Sequence, residues 1–150
     1  MAWNLKNIEN ALRNRLQLRS TLVLLVGDST HIKPDGTGGE LYPAVNFRVS
    51  EYPNLSNQHK IKLYIYIDAE KDTDGDVNHN NCLDIAAEVE AELFYKPQTE
   101  NPGTLLDLSS YNYRCFRQEK LFDSGPVIRE NVTDKIRQTQ HYLFIIDDFS

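Results

Sequence analysis

The residues with the clearest potential for chemistry lie in an acidic turn between Glu70 and Asn81. Oxygen-bearing side chains recur there at alternate positions, with a glycine at the sixth position and an aliphatic residue at the eighth, as in a calcium-binding loop. The candidate ligands are Asp72, Asp74, Asp76 and Asn78. Three features argue against calcium, since the first position is a glutamate, the twelfth is an asparagine, and the preceding residues read as a strand. The pattern therefore favours a solvated turn that caps the following helix, and we predict neither a metal nor a cofactor.

A second candidate combines His79 and Cys82, whose spacing occurs in zinc sites, with Cys115. Structural zinc needs four ligands, and no second pair of ligands accompanies these residues in the sequence. Two core cysteines, kept reduced in a cytoplasm, are therefore the favoured interpretation.

The glycine-rich stretch Asp35–Glu40 is a third candidate, for phosphate binding. No Lys-Ser or Lys-Thr pair follows it, and it lacks the strand-to-helix setting of a dinucleotide-binding turn, so a mobile surface loop is predicted. The sequence also lacks a Gly-x-Ser-x-Gly motif, and its histidines stand outside any recognisable nucleophile context. We therefore predict that the protein is not an enzyme.

Composition limits the remaining classes. The 150 residues, with 40% hydrophobic and 25% charged side chains, predict a single globular domain spanning 1–150. A net charge of −6 disfavours a surface that wraps duplex DNA, yet it suits a channel through which DNA slides. No export signal and no apolar run of about 20 residues is found, so we expect no membrane association.

The apolar pattern predicts the elements that position these groups. Residues at helical spacing indicate an amphipathic first helix: Leu5, Ile8, Leu12 and Leu16. Asn4 is its predicted N-cap, and the apolar run 21–26 fits a strand or a second short helix. After a turn-rich loop at 28–43, alternating residues predict strands at 44–50 and 60–68, joined as an antiparallel hairpin.

Beyond the acidic turn, apolar residues on one side predict a helix over 81–94: Cys82, Ile85, Ala86, Val89 and Leu93. A third strand is predicted over 111–122, ending at the turn formers 123–126, and a last strand over 141–148. The elements together predict an α+β fold, with a mixed, mainly antiparallel sheet of about four strands and two main helices on one face.

Two features of the C-terminal third suggest contact with other subunits. The last strand is apolar on both faces around Phe144 and Ile146, so it is either central or lies under a subunit contact. The long connection at 123–140 fits either an extended arm or a short helix with Ile128, Val132 and Ile136 four residues apart. We predict that Phe144, Ile146, Ile128 and Val132 contribute to an interaction surface.

The order of these elements resembles that of the tail-terminator, or tail-completion, proteins of tailed bacteriophages. The resemblance covers nearly the whole chain. It is carried by a first helix with Ile8, Leu12 and Leu16, the run Leu22-Val-Leu-Leu-Val-Gly27, the stretch Tyr42-Pro-Ala-Val-Asn-Phe47, the strand Lys62-Leu-Tyr-Ile-Tyr-Ile67 leading to helix 81–94, and two final strands at 111–122 and 140–148.

The resemblance implies a structural protein of the virion tail or neck, assembled in the host cytoplasm. Such a protein forms a homo-oligomeric, hexameric ring on the last ring of the tail tube, ends polymerisation, and offers a joining surface to the head-side connector or stopper. Its implied partners are the tube protein and, as a further candidate, the sheath protein, while DNA passes through the ring without specific binding. Asp72, Asp74 and Asp76, or the loop 35–40, would then face a partner ring or the lumen. The alternative is another neck or tail component, such as a head-side stopper or a tube-like protein.

Overall fold

The fold is α+β, with a helical layer on one face of a five-stranded mixed sheet. This computed structural model describes residues 3–53, 58–70, 77–93, 104–128 and 135–149. Within these ranges the α-helices are α1 (Leu5–Gln17), α2 (Ser20–Val26) and α3 (Val77–Leu93). The strands are β1 (Ile32–Pro34), β2 (Ala44–Glu51), β3 (Gln58–Glu70), β4 (Tyr113–Ile128) and β5 (Lys135–Asp148). Short 3-10 turns occur at Ser29–His31 and Ser109–Tyr111.

The sheet has the order β1-β2-β3-β5-β4. Only β1 and β2 are parallel, and the three other pairs are antiparallel, which includes the predicted β2–β3 hairpin. Because β5 lies between β3 and β4, the last strand, with its apolar run 143–146, is an interior strand of the sheet.

One hydrophobic core joins the helices to one face of the sheet. α1 packs against β1 and β2, α3 packs against β3, β4 and β5, and α2 contacts α3. Alternating residues of β3 supply its middle, and all are at most 1% exposed: Ile61, Leu63, Ile65, Ile67 and Ala69. The α1 residues predicted at helical spacing meet them, and Asn4 caps α1 by accepting a hydrogen bond from the Lys6 N–H at 3.0 Å.

Several helices and strands differ in type or bounds from those predicted from the sequence. The run 21–26 lies in the helix α2. Gly27 caps the end of this helix with a φ of 99°, a conformation that glycine adopts without a steric penalty. α3 begins at Val77, four residues before the predicted start, and β1 adds a fifth strand.

The largest correction concerns residues 111–140. β4 begins at Tyr113 and continues through the predicted break at 123–126 as far as Ile128. β5 begins at Lys135, six residues early, and Ile128 pairs directly with Ile136. The prediction of a helix through these two residues is therefore wrong. The described parts of the connection are extended, and they form the end of β4 and the start of β5. Bulges let β4 pass its turn formers, because extra residues can leave the ladder without ending it.

Candidate interaction surface

The structure separates the predicted site residues into four groups. Asp72, Asp74, Asp76 and Val132 lie outside the described residues. Asn78 falls within α3, and Ile128 is exposed as the last residue of β4. Across the described ranges, no three His, Cys, Asp or Glu side chains lie together as a metal site requires. Both cysteines are free and buried in the core, as predicted.

The prediction that Phe144 and Ile146 contact a partner is wrong for the folded protomer. Both side chains are completely buried. Successive side chains of a strand point to opposite faces, and these two share the helix-facing side with Ile136. The apolar β5 residues that face away from the helices are Leu143 and Ile145.

The two edges of the sheet differ greatly in how much strand they expose. β1 has three residues and ends at Pro34, which has no N–H to donate. β4 has 16 residues and is the outer strand of the opposite edge. A short, proline-ended edge is protected from pairing with other chains, whereas a long edge is a template for contact.

The long edge is also apolar. Five large hydrophobic side chains of β4 are exposed by 38–53%: Phe116, Leu121, Phe122, Val127 and Ile128. We call this set the β4 edge. Phe116 and Leu121 are the residues that two bulges leave without a partner in β5. Bulges re-aim side chains in this way, so apolar residues that regular pairing would distribute over both faces gather at the edge.

A carboxylate at the third bulge attaches the second half of β4 to β5. Asp123 accepts hydrogen bonds from the N–H of Gly125 (2.9 Å) and from the side-chain amides of Gln138 (2.8 Å) and Gln140 (3.1 Å), and it pairs with Lys120 (3.0 Å). Burial of the carboxylate raises its pKa, but these four donors outweigh that effect and lower the pKa to about 2. Asp123 is therefore held as an anion within the sheet.

A buried side-chain amide attaches the first half of β4 to the helical layer. Gln118, 2% exposed, accepts a hydrogen bond from the N–H of Leu106 at 3.1 Å and donates one to the carbonyl of Leu93 at the end of α3. Because buried polar groups lose their solvation if these bonds break, the strand is held firmly in position. The apolar edge is thus displayed on a rigid support.

The glycine-rich loop lies over one corner of the opposite sheet face. Lys33 reaches into the loop and donates hydrogen bonds to the carbonyls of Thr37 and Gly39. Beneath it, Asp68 is 3% exposed and forms a two-point ion pair with Arg137 at 2.7 and 3.0 Å. Burial lowers the pKa of Arg137, but the hydrogen bonds and charge of Asp68 reverse this and raise it.

A cleft of about 450 Å³ opens between this loop and the Asp68–Arg137 pair. Asn46 lines it and donates a hydrogen bond to Asp68 at 2.7 Å, while its own side-chain oxygen is buried without a partner among the described residues. Lys33 and Arg137 are already engaged by the loop carbonyls and by Asp68. Both cations of the cleft therefore serve to hold the loop and the buried carboxylate in place.

Ion pairs bind the helices to one another. Arg15 contacts Glu92 at 2.9 Å, and Arg19 contacts Glu88 at 2.6 Å and Glu92 at 2.9 Å. Thr21 of α2 donates a further hydrogen bond to Glu88 at 2.8 Å, which places α1, α2 and α3 in one layer. The hydrogen bonds from Thr21 and then Arg19 lower the pKa of Glu88.

These features describe a helix-on-sheet protein whose most distinctive surface is an exposed apolar strand edge. Comparison with protein-family models finds none that matches the chain, and no curated protein matches its sequence. None of the helices in the described ranges has the length and apolar character needed to cross a membrane.

Of the β4 edge, only Ile128 is among the interaction residues predicted from the sequence, and the other members were missed because bulges change the phase of the strand. Regular alternation fails after Cys115, so Leu121 and Phe122 read as the end of a strand. The remaining signal was the apolar pair Val127–Ile128 directly after Pro126. This pair is typical of a strand that resumes beyond a turn-forming segment.

Proposed function

We propose that this protein is a structural virion component of the tail-terminator type, which caps the tail tube as a ring. The observation that carries the proposal is the β4 edge, a long apolar strand edge on a protomer whose other sheet edge is short. The likeness of element order to phage tail terminators supplies the particular assembly, and the α+β fold agrees with it.

A ring of identical copies needs two different surfaces on each protomer. A head-to-tail contact joins one patch of each copy to another patch of the next, and it closes when the rotation completes a circle. An exposed apolar edge meets this need because it gains from being covered, while the short β1 edge discourages unlimited pairing of sheets.

In this proposal the ring sits on the last ring of tube protein, stops tube growth and offers a joining surface to the head-side connector or stopper. The sheath protein is a further candidate partner. The net charge of −6 on each protomer lets DNA pass through the ring without being held, since like charges deny the phosphates a binding surface. The protein acts as part of the virion neck and performs no catalysis.

The decisive experiment mixes the purified protein with tail tubes and examines them by electron microscopy. The expected result is a ring at one end of each tube and no further elongation on addition of tube protein. An Ile128→Lys variant places a charge on the β4 edge and should lose ring formation.

Leu24→Lys is the matched control, because Leu24 is 85% exposed on α2, in the helical layer. It makes the same change of residue type away from the β4 edge and should cap tubes normally. Long tubes formed by the protein alone would instead identify it as a tube-like protein. Failure to bind tubes would refute the proposal.

A further inference from the structure

The sheet face opposite the helices carries a group of side chains that none of the described helices covers. Outside the corner under the glycine-rich loop, strand alternation and register give three adjacent rows on this face, which hold eleven residues: Arg48, Ser50, Lys60, Lys62, Tyr64, Arg117, Glu119, Phe122, His141, Leu143 and Ile145. We call this set the open face.

One row of the open face runs across four strands and reaches the β4 edge. In register, Arg48 lies opposite Tyr64, Tyr64 opposite His141, and His141 opposite Phe122. The Arg48 guanidinium carbon is 4.4 Å from the centre of the Tyr64 ring, and the ring centres of Tyr64 and His141 are 4.8 Å apart. The His141 and Phe122 ring centres are 5.0 Å apart. Since Phe122 belongs to both sets, the open face and the β4 edge form one continuous surface.

The open face is positively charged. Arg48, Lys60 and Lys62 form no ion pair within the described ranges. The Lys62 ammonium lies 4.9 Å from the centre of the same Tyr64 ring that Arg48 covers, so two like charges approach one aromatic group. Burial lowers the pKa of His141, and the charges of Lys62 and Arg48 lower it further. An anionic neighbour would therefore stabilise the charges of Arg48, Lys60 and Lys62.

The rest of the chain supplies the opposite charge. The open face has four cations and one carboxylate, a balance of +3, whereas the whole chain has a net charge of −6. The remaining residues therefore carry −9. Outside its own open face, a second copy of the same chain is thus acidic on balance.

We propose that the open face receives the acidic side of a second copy and forms the polar part of the subunit contact whose apolar part is the β4 edge. The proposal rests on the ring proposed above and names the surface that the neighbouring protomer covers. It follows from charge complementarity and from continuity between the two surfaces.

The chemistry of the open face fits a protein partner better than a nucleic acid. Its middle holds the partly exposed aliphatic side chain of Ile145 between Lys60 and Arg117, as in a protein interface with an apolar centre and a polar rim. Binding of single-stranded nucleic acid uses free aromatic faces for base stacking. Here cations already lie over the Tyr64 ring.

Salt separates the polar part of the contact from the apolar part. Two copies that each carry −6 repel one another, so a purely apolar contact strengthens when salt screens the repulsion. A contact of the basic open face with an acidic surface weakens under the same conditions. Self-association that falls with added salt is therefore the expected signature.

The test measures self-association of the full chain by sedimentation equilibrium, from micromolar to near-millimolar protein, at low and high salt. The Lys60→Glu/Lys62→Glu variant should weaken the association constant at low salt by roughly tenfold or more. The control Lys6→Glu/Arg13→Glu makes the same change in net charge on α1, in the helical layer, and should remain close to the wild type.

The outcomes distinguish this inference from the proposed function. Equal association by the wild type and the Lys60→Glu/Lys62→Glu variant overturns the open-face contact but leaves the ring, which the tube-capping experiment decides separately. Wild-type protein that caps tubes yet never self-associates in solution also overturns it. Binding of an oligonucleotide that this variant abolishes would assign the open face to nucleic acid and overturn the inference.

Discussion

Replacing Asp123 with asparagine tests whether a single carboxylate holds the second half of the β4 edge in place. All four groups around Asp123 are donors, two at each oxygen: the Gly125 N–H and Gln138 at one, and Gln140 and Lys120 at the other. An asparagine side chain has one oxygen and one NH₂ group, so it satisfies one pair and places a donor against the other.

The expected cost follows from these contacts. The better orientation keeps the Gly125 and Gln138 bonds and loses the Gln140 hydrogen bond and the Lys120 ion pair. One neutral hydrogen bond is worth about 1 kcal/mol, and a partly exposed ion pair adds about 1 kcal/mol or less. We expect the free energy of unfolding to fall by about 2 kcal/mol and, for a chain of this size, the melting temperature to fall by roughly 4–8 °C.

The pH dependence gives an independent check. The pKa of Asp123 in the folded state, about 2, lies below its ordinary value of 3.8. The stabilisation is therefore complete above pH 3.8 and is lost as the pH falls from 3.8 towards 2. The difference between the wild type and Asp123→Asn should be constant from neutral pH to about pH 4 and should shrink below it.

Urea unfolding followed by circular dichroism at several pH values measures both effects. Asp84→Asn is the control, because Asp84 is an exposed carboxylate on α3. It should leave the unfolding midpoint at neutral pH unchanged. The reasoning would be refuted if Asp123→Asn lowered the free energy of unfolding by less than about 0.5 kcal/mol. It would also be refuted if the difference from the wild type stayed the same below about pH 4.

Three further predictions concern the core, the buried ion pair and the thiols. Phe144→Ala should reduce the free energy of unfolding by about 3–5 kcal/mol because the ring is fully buried, whereas Phe122→Ala, on an exposed ring, should cost less than about 1 kcal/mol. Arg137→Met should cost about 3 kcal/mol, since it leaves a buried carboxylate without its partner cation. Burial raises the pKa of Cys82 to about 12 and that of Cys115 to about 11, so neither thiol should react with a disulfide reagent at pH 8 until the protein unfolds.

Each of these predictions has a direct control. Comparable losses for Phe144→Ala and Phe122→Ala in urea unfolding would contradict the assignment of the two faces of the sheet. Arg48→Met removes an exposed cation from β2 and should cost much less than Arg137→Met. For the thiols, protein unfolded in urea provides the reference for full reaction, and rapid labelling of the native protein would show that the cysteines are accessible.

The sequence alone was sufficient for the parts of the fold that depend on local periodicity. The 3.6-residue spacing of Ile8, Leu12 and Leu16 determined the buried side of α1, and the alternation of Ile61, Leu63 and Ile65 determined the core side of β3. Such patterns are reliable because each one reports which side of a single element avoids water. The α+β class followed from the order of these elements.

The candidate surface depended on information that periodicity does not contain. The residues of β5 are apolar in succession, so the sequence showed two apolar faces without indicating that Phe144 and Ile146 meet the helices. Their side was decided by the register of β5 with β3 and β4, which is a long-range property. Likewise, Asp68 and Arg137 stand 69 residues apart and meet only because β3 and β5 are neighbours.

The sequence by itself determined the buried sides of α1, α3 and β3, the core position of both cysteines and the acidic balance of this protein. Only the tertiary structure decided that β4 passes its turn formers as a bulged edge strand, that the opposite edge is short, and that basic residues from three strands share one open face. The physical reason is that strand pairing joins residues distant in sequence, and a bulge shifts every later side chain relative to the local pattern.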